Sequence, residues 1–241
     1  MKITLSILCL LTFSLATAQF VETTTGVINN SSNAMISAAN GMKSSYGASA
    51  YFVNPARAVD GTVYLFEDWN NAGVIHAADQ IFALNNINLN IERNSFESKV
   101  GKDSLFSFNF NNVEKFVING RTFKNYYWED DNRVYEIIYE SDSWSIIKGF
   151  KIVEITGSAN PMLNRTRDRM VRKTFYYLKD DNGIHYFKLR KNRILKLVEG
   201  GKLVEGGKKE ANKIENYAKE NSLSFKKEED VRKILSYGAK N

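Results

Sequence analysis

The chain has 241 residues, with 33 basic against 27 acidic side chains, a formal charge of +6, and a 43% apolar share that includes 12% aromatics. That much apolar surface excludes a disordered secretion substrate and calls for a packed core. The single cysteine, Cys9, lies in the first apolar run, so the rest of the chain has neither disulfides nor thiol catalysis.

Residues 1–18 read as an export signal. Lys2 gives a positive start, Ile3 to Leu15 is mostly apolar, and Ala16-Thr17-Ala18 is a small-x-small cleavage site, so the mature chain is expected to begin at Gln19. Leu8, before Cys9, is not the small residue a lipoprotein signal needs there. No later apolar stretch is long enough to cross a bilayer as a helix, and none is expected in the mature chain. Export argues against nucleic acid as a partner. With no cysteine in the mature chain, the periplasm or cell surface of a Gram-negative bacterium is the expected location.

Residues 19–50 read as a weakly structured N-terminal segment. Thr23-Thr24-Thr25, Asn29-Asn30-Ser31-Ser32 and Asn40-Gly41 are polar and turn-prone, with a short helix conceivable at Asn33 to Ala39.

From 51 to 198 the dominant period is two, which predicts an antiparallel β domain of about ten strands. Ile87-Asn88-Leu89-Asn90-Ile91 alternates aliphatics with amides, and Phe106, Phe108 and Phe110 alternate with Ser107 and Asn109. Each pattern predicts a strand with one buried and one wet face. Val63 to Phe66 and Ile137 to Tyr139 are apolar on both faces and predict doubly covered strands. Asn119-Gly120 predicts a tight hairpin. Asp180-Asp181-Asn182-Gly183 joins Thr174–Leu178 to Ile184–Leu189, and Lys191-Asn192 leads into Ile194–Val198, which completes an expected three-stranded meander.

Lys196-Leu197-Val198-Glu199-Gly200-Gly201 recurs unchanged as Lys202 to Gly207. This local duplication lengthens a Gly-rich connector, 199–207, at small cost in closure entropy. In 208–241, Ala211, Ile214, Tyr217 and Ala218, then Val231, Ile234 and Leu235, recur at helical spacing. They predict two short helices packed on the sheet, the second opened by Glu228-Glu229-Asp230 and stopped near Gly238.

No catalytic, cofactor-binding or metal-binding residue can be assigned from this pattern. His76 and His185 are the only histidines; His185 shares a strand face with Phe187 and Leu189, and His76 falls between strand candidates. No zinc spacing or Gly-x-Ser-x-Gly elbow is present. Glu67-Asp68 and Glu129-Asp130-Asp131 are acidic clusters, the latter read as a hairpin turn rather than a calcium loop. Arg165, Arg167, Arg169, Arg172 and Lys173 form a basic stretch. It is read as a solvated loop, with an anionic glycan or lipid headgroup as its conceivable partner. Trp69, Trp128 and Trp144, with Tyr126, Tyr127, Tyr176 and Tyr177, are read as core and cross-strand packing rather than a sugar platform.

The export signal, Asn85-Asn86-Ile87-Asn88, Tyr135-Glu136-Ile137-Ile138-Tyr139-Glu140 and the ending Ile214–Tyr237 together resemble uncharacterised exported proteins of Bacteroidetes bacteria. The resemblance covers 50–238. It implies strands running into Lys-rich helices, and carries over no functional residue because the group has no assigned activity. It also implies a Gln19 terminus that cyclises to pyroglutamate, and Asp103-Ser104-Leu105 fits an O-glycosylation acceptor pattern of such proteins.

The sequence thus predicts a mainly β fold, a curled or barrel-like antiparallel sheet with two C-terminal helices. The expected function is exported, non-catalytic and binding or envelope-associated. A carboxylate-based hydrolase of glycan or peptide and an apolar small-molecule carrier stand as alternatives. An integral outer-membrane barrel is disfavoured by the charged helical tail.

Overall fold

The computed structural model describes residues 28–29, 47–51, 59–78, 80–100, 104–110, 113–157, 167–200 and 207–240. The segment expected to be an export signal, the short helix considered at 33–39, Asp103, Arg165 and 201–206 of the duplicated connector lie outside them.

The chain is mainly β, and its helices gather at the C-terminal end. Fourteen strands are described: β1 (Ile28–Asn29), β2 (Gly47–Tyr51), β3 (Val59–Asp60), β4 (Gly73–Ala77), β5 (Ile81–Leu84), β6 (Ile87–Asn90), β7 (Ser95–Lys99), β8 (Ser104–Phe108), β9 (Val113–Ile118), β10 (Arg121–Trp128), β11 (Asp131–Glu140), β12 (Ser145–Ile155), β13 (Asp168–Asp180) and β14 (Gly183–Phe187). The large sheet runs β1-β5-β4-β9-β10-β11-β12-β13-β14, with β3 on β13; the small sheet runs β2-β8-β7-β6. Pairing is antiparallel except for β1 on β5 and β3 on β13. The ends of the large sheet do not meet, so the expected curl is present but no barrel closes.

Local chemistry explains the long hairpins. Asn119 (φ 49°) and Gly120 (φ 74°) make the expected turn between β9 and β10. Glu129 and Asp130, at φ 50° and 61°, make a like turn between β10 and β11 without glycine, which supports the turn reading of that acidic cluster. Strands β10 to β14 curl tightly towards one face. There Tyr135, Ile137 and Ile147 pack with Tyr126, Tyr177 and Ile184, and the Lys179 ammonium reaches 5.0 Å from the Tyr126 ring centre. Gly183 (φ 119°) permits the closest approach. A Cβ there would lie 1.9 Å from the Trp128 ring, a position no side chain can take.

On the opposite face two apolar cores lie side by side. The small sheet covers one end, where Phe96, Phe106, Phe108, Phe116 and Phe123 interlock around Ile75, Ile87 and Leu89. The helices cover the other: α1 (Lys191–Glu199), α2 (Gly207–Glu220) and α3 (Glu228–Lys240). Their stripes, among them Ile194, Ile214, Ile234 and Leu235, bury against Ile138, Trp144, Ile146 and Phe187. Helices of this length are marginal alone in water, so this docking stabilises them. Tyr217 and Tyr237 stack at 3.9 Å and tie α2 to α3.

Several expectations are corrected. Ile194–Val198 belongs to helix α1 and not to a third meander strand; Ile194 and Val198, one turn apart, are both fully buried. The tail therefore carries three helices, and α3 continues through Gly238 to Lys240. The β region also starts earlier than 51, since Gly47–Tyr51 pairs with β8. Finally, the amides of β6 are not wet: Asn88 and Asn90 are as buried as Ile87 and Leu89. The 63–71 arm lies over them, where Asn88 donates to the Phe66 carbonyl at 2.8 Å and accepts from the Phe66 N–H at 3.1 Å. Val63–Phe66 is therefore not a named strand but an arm held to β6 by a bridge at Tyr64 and by side-chain amides.

Candidate functional site

One cross-strand row organises the covered face of the large sheet. Successive register partners are Ile75, Phe116, Phe123, Glu136, Lys148, Tyr176 and Phe187, on β4, β9, β10, β11, β12, β13 and β14. Partners opposite each other share a face. The row is apolar at both ends, under the small sheet and under the helices. Between those ends lie a carboxylate, an ammonium and a phenol.

Glu136 is 2% exposed and is the hub. Arg121, two residues before Phe123 on the same face, grips it with both prongs, Nε to Oε1 at 3.0 Å and Nη2 to Oε2 at 2.5 Å. Lys148 Nζ lies 3.3 Å from Oε2, and Arg232 Nη2, from α3, lies 3.2 Å from Oε1. Three cations on one buried carboxylate meet the rule that an interior charge must be paired.

Lys148 is shared. Its ammonium also donates to both oxygens of Glu228, at 2.9 and 3.0 Å, and the Tyr176 hydroxyl donates to Glu228 Oε1 at 2.5 Å. Burial alone would raise the Glu228 pKa, but the hydrogen bonds from Lys148 and Tyr176 and the charges of Lys148 and Arg121 outweigh it. The carboxyl is held below its ordinary value. Burial, then the bond to Glu228 and the nearby carboxylates, pushes the Tyr176 phenol up, so it stays a donor.

A linkage follows from the sign of the Glu228 shift. A carboxyl whose folded pKa is depressed stabilises the fold above its unfolded pKa, and that contribution is lost as pH falls through the folded value. The stability gap between wild type and Glu228→Gln, read by urea unfolding, is expected to be full at pH 7 and to narrow steadily below pH 4.5. A gap independent of pH would contradict this assignment.

Arg121, Glu136, Lys148, Glu228 and Arg232 line a cavity of about 440 Å3 between the sheet and α3. Arg172 joins from β13, its guanidinium hydrogen-bonded to the Leu65 carbonyl, and Glu229 joins from α3. Four cations thus face three carboxylates.

The remaining sequence candidates scatter. Of the basic stretch, Arg167 lies 3.7 Å from Asp60, and β13 alternation puts Arg172 on the cavity face with Arg169 and Lys173 on the other, so they do not form one patch. His76 lies within β4 and not between strands. His185, on β14, meets Trp128 edge-on with ring centres 6.3 Å apart. Trp144 is buried in the helical core, Trp69 packs edge-on to Tyr64, and Trp128 sits over Gly183, so the tryptophans build no common platform. Ser104 opens β8 and Leu105 is buried, with Asp103 outside the described residues. No helix among the described residues is long and apolar enough to cross a membrane.

The hub residues were missed in the sequence. Their signal was a charge interrupting an apolar strand, Glu136 before Ile137-Ile138 and Lys148 after Ile146-Ile147. Fold and site together define a two-sheet β protein with a helical cap and a charged pocket at the seam. No family model, curated protein or solved structure matches the chain.

Proposed function

We propose that the chain is an exported, non-catalytic binding protein of a Gram-negative envelope, and that its ligand is a small anion, a carboxylate or phosphate compound, held in the charged pocket. The carrying observation is the excess of cations over carboxylates around a cavity of about 440 Å3. Arginine forks and an ammonium in a partly desolvated cleft suit bidentate recognition of such groups. Partly exposed Arg232, together with Arg172, supplies the guanidinium edges a ligand would meet.

Glu136 and Glu228 do converge on one ammonium, the arrangement a hydrolase of glycans would start from. A general acid needs a raised pKa, however, and Glu228 is shifted the other way. The carrier alternative gains no support from the interlocked phenylalanine core.

The test is an amide-resolved NMR titration of the mature chain with D-glucuronate and, separately, inorganic phosphate at low salt. Shifts confined to the pocket lining, Gly120, Arg121, Lys148, Arg172 and Glu229 among it, and abolished by Arg232→Gln, are expected at millimolar ligand or below. Saturating amounts of both probes with no shift at these residues would refute the anion reading. Recovery of protein beginning at Gln19 from a periplasmic or surface fraction tests the export half of the proposal.

A further inference from the structure

A second site, independent of the charged pocket, opens where two long strands part. β11 and β12 pair from Glu136↔Lys148 to Glu140↔Ser145 and no further. Beyond that point β11 remains paired to β10 as far as Asp131, and β12 remains paired to β13 as far as Ile155. Each strand is thus held on its outer edge while their inner edges diverge around a slot of about 740 Å3, within the range of ligand pockets.

Gly149 marks the fork. A Cβ there would lie 3.1 Å from the Tyr177 ring and 3.2 Å from the Tyr135 ring, so these two tyrosines meet edge-to-face beneath the point of divergence. The apolar walls continue with Phe150 and Phe175, and the rim carries both signs of charge, with Arg133 and Lys151 among Glu92, Asp131 and Glu154.

The β6–β7 turn shows what the slot accepts. Asn94 (φ 53°) inserts its side-chain amide against β11, accepting from the Val134 N–H at 2.8 Å and donating to the Asn132 carbonyl at 2.5 Å. These two groups flank Arg133 and are the pair that the N–H and C=O of one residue on a parallel neighbouring strand would take. An amide of this chain therefore already stands in for a strand on the β11 side. On the β12 side, Gly149–Ile155 has no strand partner on its inner edge among the described residues, although alternate N–H and C=O groups of any strand point that way.

We propose that the slot binds an extended polypeptide, which adds as a β-strand along the inner edge of β12. Main-chain hydrogen bonds would provide the affinity and the Tyr135, Phe150 and Phe175 walls would select side chains, as in other strand-addition sites. Recognition through the backbone tolerates sequence, so a generic probe suffices.

The probe is a short acetylated, amidated peptide of alternating valine and threonine with a terminal lysine at each end, added to the unmodified mature protein. With peptide at tenfold its Kd, amide exchange within Gly149–Ile155 is expected to slow by about tenfold. The same peptide N-methylated at alternate residues along its pairing edge should leave exchange unchanged. Asn94→Gly, which suits the positive φ, should expose the Val134 amide in the free protein and let the peptide protect it. Equal binding by the methylated peptide would overturn the proposal. So would a response to a linear glucose oligomer in place of the peptide, or slow exchange before any peptide is added at the alternate amides of Gly149–Ile155 that point away from β13, which would mean that the chain's own residues fill the edge.

Discussion

Glu136→Gln is expected to cost about 3–5 kcal/mol of folding stability, the penalty for stripping a buried charge cluster of its counter-ion. The side chain keeps its shape but loses the charge that three cations face. The ladder at Phe123↔Glu136 and Glu136↔Lys148 keeps the backbones of Arg121 and Lys148 close on one face, so their charges stay near each other. Glu228 would be left as the main counter-charge, and it reaches Lys148 but makes no ion pair with Arg121. Arg232→Gln is the informative comparison. Arg232 is 37% exposed, and Glu136 would keep two cations, so a loss of about 1 kcal/mol or less is expected. Urea unfolding of the three proteins at pH 7 measures both values. Were Glu136→Gln to fall within about 1 kcal/mol of wild type, the cluster would be a solvated network and not the joint between sheet and α3.

Much of this arrangement was open to a reader of the sequence, and the remainder was hidden for physical reasons. Asn119-Gly120 is a local instruction: the backbone twist it permits is set by two residues, and the hairpin follows. The stripes Ala211-Ile214-Ala218 and Val231-Ile234-Leu235 are equally local. Ile194–Val198 was not, because four apolar residues in five fit a buried strand as well as a helix turn, and what decides is the surface they meet. Asn88 and Asn90 look solvent-facing by alternation. They are buried because the 63–71 arm supplies backbone partners, a long-range fact that no period encodes. The charged row is the extreme case. Glu136, Lys148 and Tyr176 become neighbours through register alone, each on its own strand, and Glu228 and Arg232 arrive from a helix at the far end of the chain. A charge inside an apolar strand flags a pairing need without saying where the partner lies.

Phe96→Ala is expected to cost about 3–5 kcal/mol, and the place where that loss appears matters as much as its size. Phe96 is fully buried, stacked on Phe116 at 3.9 Å and set edge-on to Phe110 and Phe123 at 6.2 and 5.7 Å, so it is the main bolt between the two sheets. Truncation leaves a cavity that neighbouring strands cannot close without shifting, and it removes the aromatic contacts as well. The charged row separates this core from the helical one, and few apolar side chains cross it. Local opening should therefore follow the two cores as distinct units. Hydrogen exchange is expected to quicken most in β6, β7 and β8, and at the Val134 amide, because Asn94 sits on the turn that leads into β7 and its grip on β11 depends on the small sheet staying docked. Amides of α3 around Ile234 and Leu235 should change least, being packed against Trp144 and Ile146 on the other side of the row. Equal acceleration at every site would mean one cooperative unit, and the charges at the seam would then be as tightly coupled to both cores as any apolar contact.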